Sequence, residues 1–516
     1  MDGIRSFDLR DRKWVPVRRK GEVERVGLRE LFLRAHEFED LAVPVPPAAS
    51  GLWRILYAIA TRITRLDSRT PEVGAWLARR EDVFDAGGFE AAEVEAYFER
   101  WADRFDLFHP EHPFGQDPRL RQECAKTAGV NKLVFSRPAG QNPVWFGHFT
   151  DLDPIPVPAH EAAWHLIAQL YYGAAGRCAS RTVNGTSAAN SNAGPLRGAV
   201  SYHPVGRTVF ESLLVGVPVP PGEVEIAADV CFWEYAARTN SRGAPPKPGW
   251  PGGLLTGRSR HAVLLVPGAD GETVTDAYLT WAWRGESWPA EDPYLVHRSS
   301  KEGASFVPAA NASRALWRDL DALLLRDRPE RRRPAVLGGT NDLPDDVLDA
   351  LHLRAYGFDQ DRQAKDRQWF TAATPPVLKY LEERAPGEAA AMALVHTTAE
   401  DVCLRLRSAL RTAWRDVISP STSGVSTKAP DGPWPARAEA LYWPRAEALF
   451  WRRFHELASS DDPERFAESP LPELVRMALK VIDETVEAQE RPRVAKAAVH
   501  ARALLRRALS TKEAVA

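Results

Sequence analysis

Apolar residues recur along this chain in two rhythms. Near the N-terminus Phe7 and Leu9 alternate with polar residues, Trp14 to Val17 is held extended by Pro16, Lys20-Gly21-Glu22 makes a turn, and Val23 to Val26 returns. Period-two alternation about a glycine turn predicts a β-hairpin. A short helix is expected from Leu28 to His36. A longer one is expected from Ala48 to Thr64, where Leu52, Ile55, Leu56, Ile59 and Ile63 keep helical spacing. Residues 75–108 read as helical, and helix returns from His160 to Gly173. The intervening 109–158, rich in Pro, Gly and Asn, reads as loops. Residues 177–198 are small and polar and predict an exposed loop. Residues 199–300 mix short strands with Pro-rich connections, and Ala262 to Val266 pairs with Thr273 to Trp283 around Asp270-Gly271. The Arg-rich run Arg326 to Pro334 reads as an exposed linker.

After Pro375-Pro376 the rhythm becomes long and helical, at about 388–418, 436–458, 464–489 and 493–511. Breaks fall at Pro386-Gly387, the tract 419–435, Ser459 to Pro463 and Arg491-Pro492. Four helices with short to moderate connections predict an up-and-down bundle. The expected fold is α+β, with a mixed α/β domain at 1–370 and a four-helix bundle at 371–516.

Composition narrows the class. A chain of 516 residues with 44% hydrophobic and 26% charged residues reads as globular and can bury a large core. Its net charge of −2 excludes a whole-chain polycation but leaves room for a local basic patch. Its 67 cations comprise 12 Lys and 55 Arg, favouring bidentate and stacking contacts. The four cysteines (Cys124, Cys178, Cys231, Cys403) form no CxxC pair, which argues against a zinc ribbon and fits a reducing cytoplasm. The N-terminus carries no apolar signal core, and no apolar run is long enough for a membrane helix.

Candidate chemistry is sparse. No Gly-Lys pair exists, so a P-loop is absent, and there is no GxSxG elbow. His160 and His165 sit five apart, so on a helix they diverge by roughly 140° and cannot share a metal. His109-Pro110-Glu111-His112 reads as a stiff structural turn. Three stretches look purposeful: 177–198, 138–143 flanked by Lys132 and Arg137, and 357–365. Their small residues let a backbone approach a groove floor, and Asn, Gln and Arg are side chains that read base edges.

The string Ser6 to Val17, followed by Val26 to Phe32 and Ala35-His36-Glu37, resembles the start of CasA, the large-subunit family of the type I-E Cascade. Matches continue in order through His109 to Phe114, Gly194 to Gly198, Pro204 to Thr208, Trp288 to Pro293 and Tyr356 to Trp369. The resemblance spans nearly the whole chain. It implies a non-enzymatic subunit at the crRNA 5′ end that reads the protospacer-adjacent motif (PAM) in duplex DNA, chiefly from the minor groove. It further implies help in opening the duplex and in recruiting a helicase-nuclease, while base pairing reads the remaining sequence.

Carried over by position, the family's glycine-rich minor-groove loop falls on Ser187, Ala188, Ala189, Asn190, Ser191 and Asn192, which here contain no glycine. The family's glutamine wedge falls on Gln363, with Arg362 and Ala364 beside it. Some members insert a lysine near Gly285. No Lys lies between Lys247 and Lys301, leaving Arg284, Arg258 and Arg260 as substitutes, of which Arg284 is carried into the site. The loop contacting the crRNA 5′ end and the neighbouring backbone subunit corresponds to Lys132, Leu133, Val134, Phe135, Arg137, Gln141 and Asn142. The implied partners are the Cascade backbone and small subunits, the crRNA 5′ end, double-stranded target DNA and the helicase-nuclease, with no membrane, metal or cofactor. In the bundle, Arg407, Arg411 and Arg415 share one helix face and, with Arg452 and Arg453, could turn it to DNA, a partner or solvent. Two alternatives remain: a purely structural ribonucleoprotein scaffold, and a metal-dependent hydrolase built on His109, His112, Glu161 and His165.

Overall fold

The computed structural model describes residues 6–67, 72–139, 147–221, 229–235, 241–288, 291–361, 366–418, 431–458, 469–486 and 491–513. The chain divides into two compact units. One comprises Met1–Arg314 with Asp327–Lys379, the other Ala315–Arg326 with Tyr380–Ala516.

The first unit is α+β and is built around the helix Pro46–Thr64. Two prolines open it, where missing N–H groups cost nothing. Nearly every position is buried, the pattern of a helix packed on all sides rather than on one stripe. It crosses the helix Ala159–Tyr172 at Gly51, where a Cβ would lie 2.6 Å from both Ile167 and Tyr171. The expected N-terminal hairpin forms as Val15–Arg19 against Glu22–Val26, joined by Asp40–Leu41. The expected pair before Gly285 forms as His261–Pro267 against Thr273–Trp281. A three-stranded sheet centres on His352–Gln360, between Asp366–Ala373 and Val200–Val205.

Three sequence expectations need correction. The helical stretch 75–108 breaks at Gly87, which takes a positive φ of 70°, leaving helices Val73–Asp85 and Ala91–Arg100 and a short turn beyond. The supposed linker 326–334 contributes the short strand Arg331–Arg332, which pairs with His297–Ser299. Residues 177–198 are chiefly a β-hairpin, Gly176–Val183 paired with Thr186–Ser191. Its turn is Asn184-Gly185, with φ of 51° and 74°, the two left-handed residues that a tight hairpin requires. Residues 357–360 are likewise strand. A Cβ on Gly357 would sit 2.1 Å from the Phe370 ring on the partner strand, so glycine is needed there.

In the second unit the four helices are Pro386–Ile418, Trp434–Ala458, Leu471–Val486 and Pro492–Glu513. The third is described from Leu471, and the expected start at 464 lies outside the described residues. Pro386–Ile418 buries Ala389, Met392, Val395, Ala399, Val402, Leu406, Leu410 and Ala413, three- and four-residue spacings that define one apolar face. The segment Ala315–Arg326 belongs to this unit. Trp317 is buried against Phe450 and Trp443, at centroid distances of 4.9 and 6.1 Å.

Candidate nucleic-acid interface

The hairpin Gly176–Val183/Thr186–Ser191 stands on a buried arginine. Arg181 is fully buried, although its surroundings in sequence are polar. Its Nη2 donates to Asp117 Oδ2 at 2.8 Å and to Ser241 Oγ at 3.1 Å, its Nε to Glu123 Oε2 at 2.6 Å, and its Nη1 to the Trp281 carbonyl at 3.0 Å. Asp117 also receives Arg119, so a buried carboxylate is shared by two guanidiniums. Such a charge is tolerable only because every partner is present. Beside it, burial pushes the Cys124 thiol up to about 11.

Trp281 ties this base to the exposed strand. Its indole Nε1 donates to the Ala188 carbonyl at 3.0 Å, and the Arg181 guanidinium carbon lies 5.1 Å from its ring centroid. Further donors fix the hairpin's length. Thr280 Oγ1 donates to the Ala179 carbonyl, Ser191 Oγ to the Arg260 carbonyl, and Arg242 Nη1 to the carbonyls of Val183 and Thr186. On the return strand Ser187 and Asn190 are exposed, Ala188 and Ala189 are half-buried, and Ser191 is buried. Asn192, just beyond, is exposed.

Of the three arginines near Gly285, Arg284 reaches this strand. Its Nη2 donates to Asn190 Oδ1 at 3.2 Å, and its guanidinium carbon lies 4.5 Å from the Trp281 ring centroid. Arg258 is instead held 3.5 Å from Asp292. Burial pulls the pKa of both Arg258 and Arg260 down.

The neighbouring segment meets the hairpin through Lys132, whose Nζ donates to the Arg177 carbonyl at 3.3 Å. Leu133 and Val134 are buried and anchor this segment. Phe135 packs edge-on against Phe358 and Trp369. Arg137 stacks 4.2 Å from Phe149 and donates to the Ile155 carbonyl. Gln141 and Asn142 lie outside the described residues, as do Arg362, Gln363 and Ala364. The strands leading to 362–365 are held by Arg197, which pairs with Asp366, donates to the Tyr172 carbonyl and lies over Phe358 at 4.7 Å.

Among the described residues no group of three His, Cys, Asp or Glu side chains is placed to hold a metal. His109 Nδ1 accepts the backbone N–H groups of Glu111 and His112, which is the work of a turn. Burial, then Arg137, pulls His165 down to about 4. The bundle arginines are paired with carboxylates: Arg407 with Glu439, Arg411 and Arg415 with Asp431, and Arg452 and Arg453 with Glu473.

Sequence reasoning missed Arg181, Trp281 and Arg242. Asn184-Gly185 was the available signal for a hairpin. Nothing local marks Arg181 as buried, since its carboxylates lie 64 and 58 residues away.

The profile of the family CRISPR-associated protein Cse1 matches residues 8–484. This chain belongs to the Cse1 family. A relative described as CRISPR-associated protein CasA/Cse1, from Thermus thermophilus, is 30% identical over 340 residues, which is 63% of this chain. The aligned part spans 62% of that relative's length. Among solved structures, a chain of a "CRISPR RNA-guided surveillance complex" superposes with a TM-score of 0.86 at 42% identity, covering 97% of this chain and 99% of that one. The crystal structure of Cse1 from Acidimicrobium ferrooxidans shares the fold, at 23% identity and a TM-score of 0.73, with 98% of each chain covered. No helix among the described residues is long and apolar enough to cross a membrane.

Proposed function

We propose that this chain is the large, non-catalytic DNA-recognition subunit of a type I-E crRNA-guided complex. It reads the PAM in duplex DNA, helps open the duplex, and supports recruitment of a helicase-nuclease. One observation carries the reading. A Cse1-family chain holds a strand of small residues and Asn190 on a fixed hairpin, with a stacked arginine beside it. Small side chains permit close approach to a groove floor, and amide and guanidinium donors suit the acceptors found there. The likeness to a chain of a surveillance complex supports the backbone and small subunits and the crRNA 5′ end as partners. Residues 1–370 are assigned to recognition and 371–516 to the bundle. Ser187 to Asn192 and Arg284 are the DNA contacts, Gln363 with Arg362 and Ala364 the wedge, and 132–142 the crRNA-side segment. The site of action is cytoplasmic.

The test is a DNA-binding titration of the crRNA-loaded complex, with and without this subunit, on duplexes randomised beside the protospacer. Selectivity that needs the subunit and falls in Asn190→Ala and Gln363→Ala supports the reading. Selectivity that survives without the subunit overturns it in favour of a scaffold role.

A further inference from the structure

Two cavities of the first unit share Gly115, Arg119, Phe232 and Tyr235 in their linings, so they adjoin. The smaller, about 80 Å³, is a slot lined by the aromatic Phe232, Tyr235 and Trp283 and by the buried Leu170 and Ala262. Such a lining suits a planar ring. His261 lines the slot too and is 4% exposed. Its Nε2 lies 2.9 Å from the Ala174 carbonyl and so carries the proton, which leaves Nδ1 an acceptor, and Nδ1 has no partner. Burial pulls the pKa of this ring down to about 4, so it is neutral at pH 7. The slot therefore combines aromatic surface with one unmet acceptor, and nucleobases bring N–H donors on a flat ring.

The larger cavity, about 220 Å³, is lined by Arg104, Arg119 and His112. Arg104 donates Nη1 to the Tyr235 carbonyl at 3.1 Å and sets Nε 3.3 Å from Asp103, which leaves Nη2 without a partner among the described residues. Arg119 adds a second guanidinium, anchored on Asp117. The nearby carboxylates do not cancel this charge. Asp117 is shared between Arg119 and Arg181, while Asp103 and Glu111 have 55% and 80% of their side chains exposed to water, which screens them. Guanidinium groups match phosphate in shape and charge. Together the cavities span roughly 300 Å³, the lower end of the range for small-ligand sites. We propose that they form a nucleotide site, in which the slot takes the base and the Arg104 side takes the phosphate of a nucleoside monophosphate, free or at the end of a strand. No residue of the hairpin 176–191 lines either cavity, so this site stands or falls apart from the PAM-reading role.

The test is calorimetric titration of the full chain with AMP, adenosine, inorganic phosphate and 5′-phosphorylated tetraadenylate, with amide exchange followed in parallel. AMP should bind at least about tenfold more tightly than adenosine or phosphate and should slow exchange at 115–119 and 261–262. Arg104→Gln should weaken AMP about tenfold and leave adenosine unchanged, whereas Trp283→Leu should weaken both. Tetraadenylate binding as tightly as AMP supports the site with a strand end as its ligand, and tetraadenylate excluded while AMP binds supports it with a free nucleotide. Adenosine or phosphate binding as tightly as AMP overturns the proposal, as does AMP binding that Arg104→Gln leaves intact. Absence of binding up to about 10 mM AMP overturns it as well. So does protection confined to 176–191, which would put the ligand on the hairpin instead.

Discussion

Arginine does opposite work in the two units. In the first, three arginines are buried and surrounded, while others such as Arg177 stay exposed. Arg54 is 1% exposed on the central helix and donates both Nη atoms to Asp292, at 2.7 and 2.9 Å, and one of them to Ser201 Oγ. Arg62 lies between Asp67, Asp229 and Glu234. Arg181 is enclosed under the hairpin. In the bundle Arg407 and Arg411 stand on the surface of helices. Arg407 meets Glu439 with both side chains about a third exposed or more, and Arg411 meets an Asp431 that is 54% exposed. The same ion pair fixes a fold in one place and decorates it in another, because water screens the second and cannot reach the first. Charge counted along a sequence therefore says little about which arginines are available to a nucleic acid.

The difference can be broken open by acid. Burial pulls His165 and His261 down to about 4, and holds the enclosed His203 well below the ordinary histidine value. All three lie in the first unit. A histidine whose folded pKa is depressed resists its proton, so its stability is fully present above the unfolded value of 6.5 and is lost as the pH falls towards 4. His165 and His261 should each withdraw roughly 3 kcal/mol by pH 4. Urea midpoints followed by tryptophan fluorescence should drop across that window, and His165→Phe should flatten the slope.

Arg54→Ala takes from the buried Asp292 carboxylate its two close guanidinium bonds and leaves it Arg258 at 3.5 Å; burial raises this carboxyl and Arg54 is the larger of the two arginines that draw it below its usual range. A loss of about 3–5 kcal/mol is expected, read as a lower urea midpoint at unchanged slope. Arg181→Met should cost less, about 2–3 kcal/mol, because Asp117 keeps Arg119. Its distinctive sign is faster amide exchange at 176–191, with the central helix unaffected. Arg411→Ala in the bundle should cost below about 1 kcal/mol, and high salt should erase the difference from the parent protein. An Arg411→Ala loss as large as that of Arg54→Ala would abolish the contrast.

How much of this was readable follows from the range of the interactions. The N-terminal hairpin, the central helix and the bundle helices were legible, since apolar spacing of two or of three and four is a local signal. The hairpin under Asn190 was not, because Thr186 to Ser191 has no apolar alternation, and the Asn184-Gly185 turn was its only local mark. The meeting of Asn190 with Arg284 spans 94 residues and is carried by Trp281, a partner that no local pattern names. The resemblance placed the strand without revealing its support, and Arg362, Gln363, Ala364, Gln141 and Asn142 lie outside what the structure describes.

The segment Ala315–Arg326 has one more implication. The chain leaves the first unit at Arg314, returns at Asp327 and leaves again at Lys379. A single cut near Lys379 would strip the four helices from Trp317, Leu320 and Leu323, leaving those buried side chains bare on one fragment and their seats empty on the other. For the same reason, recombination between related genes cannot exchange the bundle as one cassette. The short stretch and the helices are inherited as a matched set, or the hybrid must relearn how to close over its own tryptophan.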